Sequence, residues 1–250
     1  MSDAATPHDA GPDHAGSEDP NQPKRWGLGH ALIGYVVAYL LAGLAVGVYA
    51  GLAGVHEGQR TLGLAIASLL GLWTGMAGAV VFAVRRQPGG TLPSEFGLAF
   101  QWSDVPLGAA VGLASQLFLV RLLYLPFQLN DPDLARKLEK PARELTDLAH
   151  GPAFIVLAVL ITVGAPLVEE LFFRGLLQRS LLRRLGPVWA VGLSAAAFGL
   201  AHYQPLQLLG LVAFGAVLGL LAWRTGRLGP GIVAHVFFNL VTVVALAASR

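Results

Sequence analysis

Two adjacent carboxylates, Glu169 and Glu170, lie within one of the most apolar stretches of the sequence, from Gly164 to Arg174. An ionisable side chain at membrane depth is costly unless it faces a cavity or finds a partner, so it first indicates a functional site. Arg174 follows Glu170 by four residues, which places both on one helical face and within reach of each other. Two carboxylates this close should not ionise equally, so one of them could serve as a base.

Two further polar groups occur downstream in apolar surroundings. Asn239 follows His235 by four residues, so the two share one face of a helix. His202 lies 16 residues after Gly186, where we expect a turn, and Glu169 lies 17 residues before it. An antiparallel helical hairpin would therefore bring His202 and the carboxylates to similar depth. The polar residues predict one active site, with these members: Glu169, Glu170, Arg174, His202, His235 and Asn239.

The composition identifies a membrane protein. Of 250 residues, 54% are hydrophobic and only 13% are charged, against about 25% charged residues in a typical soluble domain. The absence of cysteine excludes disulfides and thiol catalysis. We find no zinc-binding His-Glu-x-x-His, no Gly-x-Ser-Gly, no aspartate inside a span, no phosphate loop and no dinucleotide fingerprint. We expect no nucleic-acid partner.

Apolar segments of roughly 20 residues predict an all-α bundle of about seven membrane-spanning helices. The expected spans are 28–54, 61–84, 105–125, 152–168, two within 185–223 that separate near Gln204-Pro205, and 230–248. Apolar sequence resumes after Glu170, which favours one long helix over 152–184, bent near Pro166. In the alternative, the fourth helix ends at Val168 and leaves both carboxylates and Arg174 at the membrane surface.

The two histidines pose a geometric difficulty. If the sixth helix ran fully from Leu206 to Trp223, His202 and His235 would lie near its opposite ends. Their convergence requires this helix to be short or tilted, or residues 203–209 to be unwound around Pro205.

The chain divides into three predicted parts. Residues 1–26 are acidic and proline-rich, which is typical of a disordered tail. Residues 27–149 supply N-terminal membrane helices and a 126–150 loop, whose mixed charges predict a short amphipathic helix. Residues 150–250 form the catalytic membrane core. Lys and Arg concentrate in alternate loops, which predicts a multi-pass protein of the cell membrane with a cytoplasmic N-terminus.

Several glycines recur at intervals of four residues, a spacing that lets helix backbones approach closely. We expect these glycines to pack helices within the bundle rather than to join two copies of the chain. They are Gly43, Gly47 and Gly51; Gly71 and Gly75; and Gly215 and Gly219.

Three motifs occur in order on successive helices: Glu169-Glu170-x3-Arg174, Phe198-x3-His202 and His235-x3-Asn239. Together they resemble the CPBP family, which comprises the type II CAAX prenyl proteases and bacteriocin-processing proteins and is also called the Abi family. The resemblance covers about residues 150–245. It implies an intramembrane endopeptidase, surrounded by membrane lipid, that acts on a membrane-associated or lipidated peptide.

The resemblance also implies a role for each site residue. Glu169 would activate the attacking water, with His202 beside it. His235 and Asn239 would stabilise the oxyanion of the tetrahedral intermediate, and the Glu170–Arg174 pair would orient the site.

Two mechanisms and two other functions remain open at this point. Glu169, His202 and His235 could be three ligands of a catalytic zinc with one open position. They could equally run a metal-free, glutamate-based hydrolysis. A catalytically idle scaffold or immunity protein would use the same fold to bind a partner, although it gains nothing from buried charges. An ion-coupled transporter would use intramembrane Glu and His to relay protons, but no inverted repeat is evident.

Overall fold

The computed structural model describes residues 23–249, and these residues form helices and no strand. The helices are α1 Leu28–Ala53, α2 Leu62–Arg86, α3 Leu92–Phe96, α4 Asp104–Gln128, α5 Leu134–Thr146, α6 Pro152–Leu182, α7 Pro187–Leu200, α8 Leu208–Thr225 and α9 Gly229–Ala248. Six of them (α1, α2, α4, α6, α8 and α9) are long and apolar enough to cross a membrane, and α7 is a shorter apolar helix. The predicted all-α, multi-pass bundle is confirmed.

The bundle is built around α6. This helix runs unbroken from residue 152 to residue 182, through Pro166, as one long helix rather than one ending at Val168. Its hydrogen bonding widens to the π-helical pattern in two stretches, Leu160–Gly164 and Glu170–Gln178. Such stretches are rare and often mark functional sites. The second stretch begins at the second glutamate of the predicted site.

Glycines bring three pairs of helices into close contact. A Cβ atom on Gly75 would overlap the backbone of Ala38, so α1 and α2 pack with almost no space between them. On α8, a Cβ atom on Gly215 would lie 3.2 Å from Ala195 of α7, and one on Gly219 would overlap the Gln178 side chain of α6. The prediction of packing inside the bundle is therefore confirmed for these glycines.

The third glycine set behaves differently. Gly43, Gly47 and Gly51 of α1 have nothing within 4 Å of the position a Cβ would take. For this stripe, the prediction of packing inside the bundle was wrong. A seam of glycines needs a partner helix on the same side, and α2 packs against α1 through Ala38 and Ala42 instead.

A break separates the two helices that follow α6. Helix α7 has only 14 residues, and residues 201–207 form turns before α8 starts at Leu208. The Tyr124 hydroxyl on α4 donates to the Leu206 carbonyl, and Gln207 donates to the Leu138 carbonyl on α5. The chain is thus unwound around Pro205, which is one of the arrangements that would let the two histidines converge.

The segment before α1 is anchored at one end of the bundle. Lys24 and the Trp26 indole both bind the Glu95 carboxylate, at 2.7 and 2.6 Å, and the Arg183 guanidinium stacks on Trp26 at 3.9 Å. Of the predicted 1–26 tail, residues 1–22 lie outside the described residues, whereas Trp26 is buried in the fold.

We expect Gly75→Leu to lower the melting temperature of the purified protein in detergent. A leucine there would push α1 away from α2, and overpacking of this kind costs about 1–3 kcal/mol. Gly47→Leu is the matched control, because its side chain would meet open space and would gain helix propensity. Equal melting of Gly75→Leu and wild type would contradict the close α1–α2 contact.

Candidate active site

A buried ion pair lies at the centre of the bundle. Arg174 donates from Nη1 to Glu170 Oε1 at 3.0 Å, and both side chains have no solvent exposure. Its Nη2 donates to the Gly215 carbonyl at 2.9 Å, and the guanidinium lies 4.5 Å from the centre of the Phe198 ring. The pair predicted from the four-residue spacing is present, and it lies in the interior rather than at the membrane surface.

His235 of α9 lies between the two glutamates. Its Nδ1 atom is 3.2 Å from Glu170 Oε1, and its Nε2 atom is 3.9 Å from Glu169 Oε2. Because an ionised carboxylate only accepts hydrogen bonds, the proton is on Nδ1, and this N–H group donates a hydrogen bond to Glu170. The rings of Phe198 and Phe214 contact the imidazole edge-on, at 5.6 and 5.4 Å, and hold it in this orientation.

Glu169 is the freer of the two carboxylates. As neighbours on one helix, the two side chains point in directions that differ by roughly 100°. The Glu169 side chain keeps 14% of its surface exposed, against 0% for Glu170. No described residue donates a hydrogen bond to it, and His235 Nε2 lies 3.9 Å from its Oε2 atom. The family resemblance implied His202 beside Glu169, and the structure places His235 within 4 Å of Glu169.

His202 lies in the turn after α7. Its Nδ1 atom is 2.8 Å from the Phe198 carbonyl oxygen, and its ring contacts the Phe198 ring edge-on at 4.8 Å. Phe198 also contacts Arg174 and His235, so one phenylalanine joins both histidines to the buried ion pair. The similar depth of His202 and the carboxylates, predicted by counting residues across the hairpin, fits this arrangement.

Asn239 connects α9 to α6 at a second position, one helical turn after His235. Its Nδ2 donates at 2.9 Å to the carbonyl of Ile161, which lies in the first π-helical stretch. The amide carries two hydrogens, so one remains for another acceptor. His235 and Asn239, one turn apart, therefore both contact α6, as their shared helical face predicted.

The part of the chain that contains the candidate site is similar to known proteins. Residues 151–241 match the model of a protein family described as type II CAAX prenyl endopeptidase Rce1-like. This stretch, which we call the Rce1-like segment, is therefore similar to that family. It contains all six predicted site residues, and the resemblance inferred from the three motifs is confirmed.

One relative extends the likeness beyond the Rce1-like segment. A Bacillus subtilis protein named "Putative membrane peptidase YdiL" is 25% identical over 169 residues. The alignment covers 66% of this chain and 65% of the relative, so it spans slightly less than two thirds of that protein. No solved structure matches the chain.

The Rce1-like segment does not assemble the three zinc ligands that the sequence allowed. Within residues 23–249, no group of three or more His, Asp or Glu side chains is placed to hold a metal ion. Glu169 and His235 approach each other, whereas the Nδ1 atom of His202 faces the Phe198 carbonyl. That contact leaves Nε2 of His202 as the nitrogen that could bind a metal, and zinc binding stays a prediction.

Sequence reasoning missed two residues that support the site. Gln178 donates to the Gly219 carbonyl at 2.9 Å, one turn beyond the contact of Arg174 with Gly215. Its polar side chain four residues after Arg174, in apolar sequence, was a usable signal. Tyr39 of α1 lies outside the Rce1-like segment and donates to the Ala201 carbonyl. No spacing in the sequence could have indicated that contact, since it joins residues 162 positions apart.

We expect Arg174→Ala to destabilise the protein strongly, since it leaves Glu170 buried without its cation. Removing one partner of a buried ion pair costs roughly 3–5 kcal/mol. The double variant Arg174→Ala with Glu170→Gln should melt at a higher temperature in detergent than Arg174→Ala alone. A glutamine can still accept from His235 but brings no unpaired charge. If the second substitution restores no stability, the two residues are not an energetically coupled pair.

Proposed function

We propose that this protein is an intramembrane endopeptidase that hydrolyses a peptide bond within or near the bilayer. The observation that carries the proposal is the contrast between the two glutamates. Glu170 is fully buried and accepts from Arg174 and His235 at Oε1, with Oε2 unpaired, whereas Glu169 is partly exposed, has no hydrogen-bond donor among the described residues and lies 3.9 Å from His235. A free carboxylate beside a fixed imidazole is the arrangement that a general base for water activation requires.

In the proposed reaction, Glu169 removes a proton from a water molecule, and the water oxygen attacks the carbonyl carbon of the substrate peptide bond. The carbonyl oxygen becomes the oxyanion of a tetrahedral intermediate. Glu169 then passes its proton to the amide nitrogen, the carbon–nitrogen bond breaks, and the products are a carboxylic acid and an amine. A site enclosed by the bundle keeps bulk water away, which strengthens these electrostatic interactions.

The other site residues have complementary roles in this proposal. The Phe198 carbonyl accepts a hydrogen bond from Nδ1–H of His202. His202 Nε2 is therefore left to accept a hydrogen bond from the attacking water, beside Glu169 as the first acceptor. The remaining amide hydrogen of Asn239 stabilises the oxyanion. A proton on Nε2 of His235 would make it a second donor, with Glu170 balancing the charge. Glu170 and Arg174 hold His235 in place.

We infer the substrate class from the surroundings of the site. An apolar groove of about 340 Å³ lies between α1, α6 and α7, with Tyr35 and Phe172 at one end and Leu28 and Leu181 at the other. Its exposed leucines would face lipid. A membrane-associated or lipidated peptide could bring its apolar part into this groove and its peptide bond to Glu169.

We further propose that the protein resides in the cell membrane with its N-terminus in the cytoplasm. Lys24 and the Arg183 side chain meet around Trp26 and Glu95 at one end of the bundle. Basic residues that gather at one end are typical of the cytoplasmic side. An idle scaffold or immunity protein would have no use for the unoccupied carboxylate of Glu169, and no contact among residues 23–249 favours transport.

Glu169→Gln should abolish cleavage of a membrane-anchored reporter peptide by the purified protein. Loss of a general base typically lowers the rate by about 10²–10⁴-fold. Because Glu169 accepts no hydrogen bond from the described residues, its replacement should leave the melting temperature unchanged. Glu57→Gln, in the exposed loop after α1, is the matched control and should cleave normally. Near-wild-type turnover by Glu169→Gln would refute the assigned base.

Metal analysis and chelation test whether the activity depends on zinc. We expect protein purified without a His tag to contain far less than one zinc per chain and to keep its activity in a strong chelator. Asn239→Ala should then lower kcat by about 10²–10³-fold, as loss of an oxyanion donor does. Two results together would establish the zinc mechanism instead. The wild type would contain about one zinc per chain, which both His202→Ala and His235→Ala lose. Its activity would disappear with the chelator and return with Zn²⁺.

A further inference from the structure

We infer that Tyr39 of α1 is a positioning residue for His202, so that a helix outside the Rce1-like segment completes the active site. The inference rests on the proposed endopeptidase function and adds a residue to it. It is carried by the contacts that Tyr39 makes on both sides of His202.

The first contact is a hydrogen bond to the residue before His202. The Tyr39 hydroxyl donates to the Ala201 carbonyl at 2.6 Å. Ala201 directly follows the last residue of α7, where backbone carbonyls have no partner within the helix. In an apolar bundle such a carbonyl needs a donor from elsewhere, and α1 supplies it.

The second contact is with the residue after His202. The rings of Tyr39 and Tyr203 meet edge-on at 5.5 Å. Tyr203 has φ of 52°, and it is the one non-glycine residue among those described with a positive φ. An aromatic residue seldom adopts this left-handed conformation without support. Tyr39 therefore contacts the turn at the position where its backbone is least favourable.

Tyr39 is itself held in place by Tyr35 of the same helix, which lies beside the helix that carries the glutamates. The Tyr35 hydroxyl donates to the Tyr39 hydroxyl at 3.4 Å, and their rings lie 4.8 Å apart. The Tyr35 ring lies 6.4 Å from that of Phe172, two residues after Glu170. Contacts therefore connect α6, through Tyr35 and Tyr39, to the turn that contains His202.

These contacts matter because His202 has few of its own. Its Nδ1 atom is bound to the Phe198 carbonyl, so the position of Nε2 depends on where the turn holds the backbone. Small displacements of a reacting group cause large losses of rate. Without the Tyr39 hydroxyl, the turn should hold Nε2 of His202 less firmly beside the attacking water.

The test starts from Tyr39→Phe, which keeps the ring and removes only the hydroxyl. We expect kcat for the reporter peptide to fall by roughly 3- to 10-fold, as expected for the loss of one hydrogen bond. KM should change by less than about twofold, and the melting temperature should fall by only a few degrees, as expected for the loss of one hydrogen bond. Tyr49→Phe, on the same helix but ten residues away, is the matched control and should keep the wild-type kcat.

A double-variant cycle distinguishes positioning of His202 from a general structural effect. In single-turnover cleavage, Tyr39→Phe should cause no further loss in a His202→Ala background, because residues that act through one another are not additive. A full additional loss in that background, or a wild-type kcat in Tyr39→Phe, would overturn the inference.

The same assay separates this inference from the proposed function. If Glu169→Gln is inactive while Tyr39→Phe cleaves like wild type, only the role of Tyr39 is refuted. If Glu169→Gln cleaves like wild type, the proposed function fails, and the role of Tyr39 fails with it.

Discussion

A positive and a negative charge buried inside a membrane bundle persist only if neighbouring helices supply the partners that water would otherwise provide. Arg174 receives a carboxylate from its own helix, a carbonyl from α8 and an aromatic face from α7. The contacts from α8 and α7 fix the distance and rotation of these two helices around α6. Glycine at position 215 lets α8 pack closely enough to present its carbonyl, and Glu170 in turn draws His235 of α9 to within 3.2 Å. The site is thus organised around a charge that the bundle has to neutralise.

The two glutamates differ although they are adjacent in the sequence. Because successive residues on a helix point in different directions, the helix turns Glu170 towards Arg174 and leaves Glu169 near the edge of the polar cluster. Glu170 binds Arg174 and His235 and stabilises the bundle, whereas Glu169 stays available to bind a water molecule. This division needs no difference in residue type. It arises from the rotation of α6 relative to α8 and α9, which the buried ion pair sets.

Local spacing predicted much of this protein. The spans follow from apolar length, the Glu170–Arg174 contact from a four-residue interval, and the depth of His202 from equal distances to the turn at Gly186. The sequence could not show which histidine lies beside Glu169, because that depends on how helices rotate against one another. Counting also gave no sign of Tyr39, since its contact with Ala201 joins distant parts of the chain. The four-residue spacing of the glycines also could not show that Gly43 faces away from the bundle, because this spacing does not determine on which side of α1 the neighbouring helix packs.

The π-helical stretch from Glu170 to Gln178 has a consequence for how this chain can change in evolution. A π-helical turn accommodates an extra residue that a regular α-helix of the same span would lack. Deleting one residue there would let the helix return to α-helical geometry with its two ends in place, but it would shorten the spacing between side chains on either side of the deletion. Glu170 and Arg174, or Arg174 and Gln178, would then be three residues apart instead of four and could not both keep their present contacts. Loops of this protein can gain or lose residues, but we expect the stretch between the glutamates and Gln178 to keep a constant length in any descendant that keeps the activity.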